Sequence, residues 1–471
     1  MSHQDSKVVG VRLNGECLKG SLRWLLGDVS WSTVKFRDDC SWSPMLLAAA
    51  ALLWAWSDES TLGDRFQTAR SIIGYIFAVQ QELAGTYQAF LKMLRRWTVG
   101  MVAELQTALR QRMQERLPDC WEVAGFVMFG VDGSRAELPR TRSHEEVYSA
   151  ARPGKKKKRN KRKKKSSRRG KSKPRDASRA KKGNSPQMWL TTMWHVGTGL
   201  PWDWRTGPAD SSERAHLLEM LPALPAGALI AADAGFVGYD YARAIIDGGR
   251  QLLIRVGANV KLLKKLGFVR ETAGTVYLWP DRAAQNNQPP VVLRLVVAHN
   301  GKHPVYLVTS VPATQLTDRQ VAELYGRRWG IELFYRHLKQ TFQRRKLRSA
   351  AAENARVEME WSLVGLWAMA LFALCEARRK GTPPAKLSFA GMLRAFRRTM
   401  RDYRHPSERG RRLCHRLREA VIDSYVRTNK ASRDYPRKKQ ESPPGSPIIT
   451  LATKQQQRQA KALAAVTVQK G

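Results

Sequence analysis

The sequence predicts a mixed α/β core that carries a β-rich insertion and is flanked by helical regions. Three observations predict it. Apolar residues recur at helical spacing over residues 1–120. Short apolar runs alternate with helical stretches over 121–255. Residues 256–316 then hold strand-like runs with no long helix between them, before helical spacing returns. A chain of 471 residues is long enough for several domains and a sizeable core.

The elements follow in order. Met45–Trp56, rich in Ala, Leu and Trp, reads as a buried helix; Thr61–Met93 gives amphipathic stretches. Val99–Arg116 is a further helix that stops before Pro118. This 1–120 region is expected to be a helical DNA-binding domain. Gly125–Asp132 (GFVMFGVD) is an apolar strand closed by Gly133. Trp189–Val196 and Leu200–Trp204 form a hairpin about Gly197–Gly199. Ser211–Leu221 is a helix with a serine cap, Ala228–Ala232 a strand closed by Asp233, Asp240–Asp247 a helix and Gln251–Arg255 a strand. In the insertion, strands are expected at Thr275–Trp279, Val291–Ala298 and Pro304–Ser310. The second part of the core spans 317–380. It opens on a helix capped by Thr317 and continues into the apolar Glu353–Arg378 helix. A C-terminal helical region covers 381–428, and 429–471 is a basic polar tail expected to be loosely ordered.

Lys and Arg total 82 against 40 acidic residues, a net charge of +42. Such a balance selects a polyanionic partner, with nucleic acid first because phosphate neutralisation releases counterions. No apolar run has the roughly 18 uncharged residues of a membrane span, and no membrane partner is expected. Five scattered cysteines (Cys17, Cys40, Cys120, Cys375, Cys414) match neither a disulfide framework nor a zinc ribbon, which points to a reducing interior. Residues 151–182 hold 19 Lys or Arg and one acid, Asp176. This basic insertion, taken as disordered over 151–187, contains nothing to bury. It is either a tolerated loop or an electrostatic arm that adds affinity without reading sequence.

The chemistry gathers on one predicted helix, LYGRRWGIELFYRHLKQTF. Tyr325, Arg328, Glu332 and Lys339 stand at i, i+3, i+7 and i+14, within an arc of about 60° at about 100° per residue. Leu324, Ile331, Phe334, Leu338 and Phe342 form the apolar stripe beside it. Asp132 and Asp233 each end an apolar strand near a glycine, which lifts both to one edge of the sheet. With Glu332 they make three carboxylates that repel one another unless cations lie between them. Hard oxygen donors suit Mg²⁺ or Mn²⁺, and two such ions about 4 Å apart activate a water and stabilise a leaving oxygen.

With these residues in view, the chain resembles the DDE transposases of bacterial insertion sequences, in the group with the Tyr-Arg-Glu-Lys signature. The matching motifs are DGS at Asp132, DAGF at Asp233 and Tyr-x2-Arg-x3-Glu-x6-Lys at Tyr325–Lys339, within about residues 120–380. The resemblance implies a ribonuclease H-like core interrupted by a β-rich insertion. It implies that Asp132, Asp233 and Glu332 bind two Mg²⁺ or Mn²⁺ ions, and that Tyr325, Arg328 and Lys339 contact DNA phosphates. It also implies a cytoplasmic, nucleoid-associated homodimer acting on terminal inverted repeats in double-stranded DNA by cut-and-paste transposition. Trp279, the one tryptophan in the insertion, is the candidate for holding a flipped base, with core packing as the alternative.

Other residues read as structural. His195 and His216 lack partners at metal-binding spacing. Glu213 and Glu219 read as surface residues, and Asp203 and Asp210 as turn residues. Gly235 and Gly238 complete neither a Walker motif nor a dinucleotide fingerprint, and Trp202 and Trp204 suit sheet packing. Two further functions stay open: an inactive transposase-derived DNA-binding protein, and a metal-dependent nuclease without strand transfer.

Overall fold

The computed structural model describes residues 18–77, 83, 85–150, 185–299, 303–382, 386–404, 413–422 and 445–468. The chain begins with helices α1 (Leu18–Leu26), α2 (Pro44–Trp56), α3 (Leu62–Phe77) and α4 (Tyr87–Arg116). There follow β1 (Met128–Glu137), α5 (Arg142–Tyr148), β2 (Gln187–His195), β3 (Leu200–Gly207) and α6 (Glu213–Met220). Next come β4 (Leu229–Ala232), α7 (Tyr239–Asp247) and β5 (Gln251–Val256). The insertion holds β6 (Lys261–Lys264), β7 (Thr275–Leu278), α8 (Asp281–Gln285), β8 (Val291–His299) and β9 (Pro304–Thr309). The chain continues through α9 (Asp318–Arg327), α10 (Gly330–Arg336), α11 (Ala352–Arg378), α12 (Phe389–Arg404) and α13 (Leu413–Arg418). It closes with β10 (Ile448–Leu451) and α14 (Lys454–Val468).

The result is a mixed α/β core with flanking helices, broadly consistent with a ribonuclease H-like fold. The ten strands among the described residues join one sheet in the order β10-β6-β7-β8-β9-β5-β4-β1-β2-β3. β1 pairs antiparallel with β2 and parallel with β4, and β4 pairs parallel with β5. The hairpin β2–β3 turns at Gly199, whose positive φ of 73° suits glycine. The insertion does not form a separate layer. β9 pairs antiparallel with β5, so the inserted strands extend the core sheet.

Four other expectations change. The amphipathic stretches expected over Thr61–Met93 and the helix expected at Val99–Arg116 are divided elsewhere: α3 covers Leu62–Phe77 and α4 runs unbroken from Tyr87 to Arg116. Gly100 does not interrupt α4, because Phe90, Leu94, Met101, Leu105 and Leu109 form one buried face. The basic insertion lies outside the described residues to 184, and Gln187 already belongs to β2. The tail is ordered over 445–468, where β10 pairs with β6 and α14 follows it. β6 itself was not expected, since four residues with only Leu262 buried carry little periodic signal.

α11 is the hub of the helical layer. It is long and apolar enough to cross a membrane by length and composition, but it is buried in the core. It packs on α4, α2 and β3. Its neighbours satisfy indole donors: Trp56 Nε1 donates to Gly365 O at 2.8 Å, and Trp361 Nε1 donates to Thr98 Oγ1 at 2.9 Å. This packing ties the N-terminal helices to the segment after α10. The buried Arg344 extends that tie, donating to Ser362 Oγ on α11 and to Ala55 O on α2.

Candidate active site

Strand register brings the two aspartates together. β1 and β4 pair at Met128↔Leu229, Phe129↔Ile230 and Gly130↔Ala231. Asp132 and Asp233 each lie two residues beyond the last pair, so they emerge at one level from neighbouring strands. Asp233 follows the end of β4, as expected, and its Oδ1 accepts from Gly235 N at 2.8 Å to cap a short 3₁₀ turn. Asp132 does not end its strand. β1 continues to Glu137, because β2 pairs with it from Asp132↔Thr192 through Glu137↔Gln187. Asp132 Oδ1 accepts from Gly133 N at 2.8 Å.

The signature residues do not share one helix. α9 ends at Arg327, α10 starts at Gly330, and His337–Thr341 form a π-turn. At the first break Arg328 N bonds Tyr325 O and Trp329 N bonds Gly326 O, which tightens the chain to i→i+3 spacing. The regular 100° periodicity therefore fails between Tyr325 and Lys339. Tertiary contacts nevertheless bring the four side chains to the acidic edge.

Two contacts dock α10, with Glu332 in its first turn, against the sheet. Gly330 lies on the Trp194 ring: a Cβ there would stand 2.0 Å from Trp194 Cη2. Tyr335 OH donates to Asp132 O at 2.7 Å, so the helix carrying the glutamate is bonded to the first aspartate's backbone. Trp194 itself belongs to β2, opposite Gly130. Sequence reading singled out neither Gly330 nor Tyr335. Tyr335 stands three residues after Glu332, one turn along the same helix, which was an available signal.

Electrostatics show that the acids share one environment. Burial pushes the Asp132 carboxyl up to about 6; the Gly133 N–H and Arg328 oppose the rise, while Asp233 and Glu332 add to it. Burial raises the Tyr325 phenol, opposed by Arg328 and Arg255. Burial lowers Lys339, with Arg345 adding to the effect and Asp132 and Glu137 opposing it. Arg328 is only 8% exposed, its guanidinium lies 5.4 Å from the Tyr325 ring centre, and its Nε has no hydrogen-bond partner among the described residues.

A fourth carboxylate was missed. Glu213, read from sequence as a surface residue, starts α6 and reaches over the glycines that follow both aspartates. Its Oε1 would be 2.1 Å from a Cβ on Gly133, and its Oε2 3.9 Å from one on Gly235. Burial pushes Glu213 up to about 7, with Asp132 and Asp233 adding to the rise and Arg135 and Arg214 opposing it. From sequence Gly133 reads as the residue that closes the strand; only its place inside β1 makes it a strand-interior glycine that marks a close approach.

The cluster offers carboxylate oxygens, the donor type that hard divalent cations take. Asp132 and Asp233 each use one oxygen on a backbone N–H, and the side chains of Glu332 and Glu213 form no ion pair or hydrogen bond among the described residues. Among those residues no three His, Cys, Asp or Glu are gathered tightly enough to form a ligand set. The acids face one another at Coulombic range.

Trp279 is apart from this cluster in its contacts. It is buried, and its Nε1 donates to Gln288 O at 2.8 Å within the insertion. It lines a cavity of about 540 Å³ with Arg214, Tyr239 and Lys261. His195 and His216 bond Thr198 and Thr191 and serve the sheet.

The raised carboxyls predict a pH dependence. Between 3.8 and about 6 for Asp132, and between 4.5 and about 7 for Glu213, the folded state keeps protons the unfolded state has released. Stability of the metal-free protein therefore falls as pH rises through this window. Thermal melts should show a midpoint lower by several degrees at about pH 7.5 than at about pH 5. Asp132→Asn and Glu213→Gln should each flatten that slope; a slope unchanged in both variants would contradict the assignment.

Residues 131–368 match the family described as "Transposase DDE domain". A transposase for insertion sequence element IS4 from Escherichia coli (strain K12), InsG, is 28% identical over 147 residues. That alignment covers 29% of this chain and 32% of the relative, so the chain spans about a third of that relative's length. A solved structure of a piggyBac transposase synaptic complex with hairpin DNA superposes with a TM-score of 0.38 at 12% identity, covering 88% of this chain and 84% of that one.

Proposed function

The chain belongs to the transposase DDE-domain family, and from that premise we propose that it is a DNA transposase. It would free the 3′ ends of an insertion sequence and join them to target DNA, within the group carrying the Tyr-Arg-Glu-Lys signature. The observation that carries this reading is the in-register placement of Asp132 and Asp233, with the Glu332 helix bonded to Asp132 through Tyr335. The strand order β3-β2-β1-β4-β5 supports assigning the core as ribonuclease H-like.

Asp132, Asp233 and Glu332 would hold two Mg²⁺ or Mn²⁺ ions. When bound, such ions supply Lewis acidity to the attacking oxygen and the leaving 3′ oxygen. The chain's own residues do the rest. Arg328 presents a buried guanidinium donor without a partner, which a phosphate oxygen would satisfy. Lys339 adds a mobile point charge within Coulombic range of Asp132, and Tyr325 backs Arg328 with its ring. Trp279 would meet a flipped base only through the cavity it lines. A homodimer on paired terminal repeats, at work in the cytoplasm on the nucleoid, completes the proposal.

The test is product analysis. Purified protein, Mg²⁺ and duplex DNA carrying the inverted repeats that flank the gene should yield nicks ending in 3′-OH and joined strand-transfer products. Cleavage without joining would replace this reading with a nuclease, and binding with neither product would replace it with an inactive DNA-binding protein.

A further inference from the structure

Away from the carboxylates, the helical layer and the core enclose a second feature of opposite charge. A cavity of about 530 Å³ lies between α4, α5 and the start of α11. Lys92, Arg95 and Arg96 line it from one face of α4, at i, i+3 and i+4, and Arg356 lines it from α11. Among the described residues its one carboxylate is Glu353, 3.4 Å from Arg95. Four cations against one acid leave a net charge of +3. Lys92, Arg96 and Arg356 form no ion pair among the described residues, and all three are exposed. The N-terminus of the 27-residue α11, which has no side-chain cap of its own, adds its positive end to the same space.

Cations also connect this cavity to the acidic site. Lys339 lies within Coulombic range of Asp132. The following segment carries exposed Arg345 and Lys346, and it is bonded to the far end of β1 through Glu137 N to Arg345 O and Leu347 N to Glu137 O. The chain next meets α5, where Thr141 Oγ1 donates to Ala350 O and Ser143 Oγ accepts from Ala352 N at the head of α11. Tyr148, the last residue of α5, lines the cavity. Each DNA strand presents a phosphate about every 3.4 Å of helix axis, a regular series of anions that exposed cations can track.

We propose that the Lys92–Arg95–Arg96–Arg356 cavity is a docking site for the sugar-phosphate backbone of duplex DNA, continuous with the acidic site through Lys339, Arg345 and Lys346. It rests on the reading of this chain as a DNA-processing enzyme. The site reads charge and backbone spacing, not base sequence, since its lining is cationic and its partners are phosphate oxygens.

Binding tests this separately from catalysis. The triple variant Lys92→Gln, Arg95→Gln, Arg96→Gln should weaken binding of a long duplex by about tenfold or more. It should also reduce the slope of log K against log salt by about 2 to 3, at about 0.9 per phosphate contact. A control variant with Lys264→Gln, Arg270→Gln and Arg282→Gln, exposed on the insertion and outside the Trp279 cavity, should change the slope by less than one. Glu353→Gln, which removes the cavity's only acid, should tighten binding several-fold. That opposite sign cannot arise from misfolding. Unchanged affinity and slope in the triple variant, or a loss confined to RNA duplexes, would overturn the proposal. If the unaltered protein binds duplex but never cuts it, the transposase reading falls while the binding comparison still decides the cavity.

Discussion

Asp132→Asn, Asp233→Asn and Glu332→Gln are each expected to lower DNA cleavage by about three orders of magnitude or more, while duplex binding stays within about twofold. The replacements keep the shape of each side chain. In Asp132→Asn the amide oxygen still accepts from Gly133 N, and in Asp233→Asn it still accepts from Gly235 N, so the strand ends stay in place. The negative charge that would hold a divalent cation is lost. Binding is spared because affinity for DNA comes from cations distributed over a +42 chain. Single-turnover cleavage and a filter-binding titration on the same preparations check both halves. Near-normal cleavage by any one variant removes that residue from the site.

The second large effect is expected at a residue with no chemistry of its own. Gly330→Ala places a methyl where Trp194 carbons lie at 2.0, 2.7 and 2.8 Å. The ring is packed on its other sides, being only 6% exposed. α10 must therefore lift, carrying Glu332 and straining the Tyr335 bond to Asp132 O. Overpacking of this kind costs about 1–3 kcal/mol of stability. A displacement of about 1 Å in a catalytic group costs about 10²-fold in rate. Combining Gly330→Ala with Trp194→Phe removes the second ring of the indole and should restore most of both losses. If Gly330→Ala melts and cleaves like the unaltered protein, the helix is not held by this contact.

Much of this site was legible because its signals are local. Short continuous apolar runs placed β1, β4 and β5, and the aspartates were found by their position near the ends of those runs. The β2–β3 hairpin was read from two apolar runs around Gly197–Gly199. The expected end of β1 at Asp132 was wrong, because a following glycine closes a strand only when no partner continues the pairing. Here β2 continues it to Glu137. The signature helix was drawn as one piece because periodicity assumes a uniform turn. The break at Arg328–Trp329 and the π-turn at His337–Thr341 interrupt it, and Gly330 fits closely on a tryptophan far away in sequence.

By itself the sequence determined the inventory: three acids, an arginine, a lysine and a tyrosine in patterned contexts, on elements whose type follows from short-range propensity and period. It also determined the charge, and with it the expectation of a polyanionic partner. Only the tertiary structure decided that Asp132 and Asp233 emerge at one level, because strand register is set by pairing between segments about a hundred residues apart. Only it showed Glu213 over Gly133, Tyr335 bonded to Asp132, and four cations from α4 and α11 around one cavity. Those are distances between residues remote in the chain, and side-chain identity alone does not specify them until the core has packed.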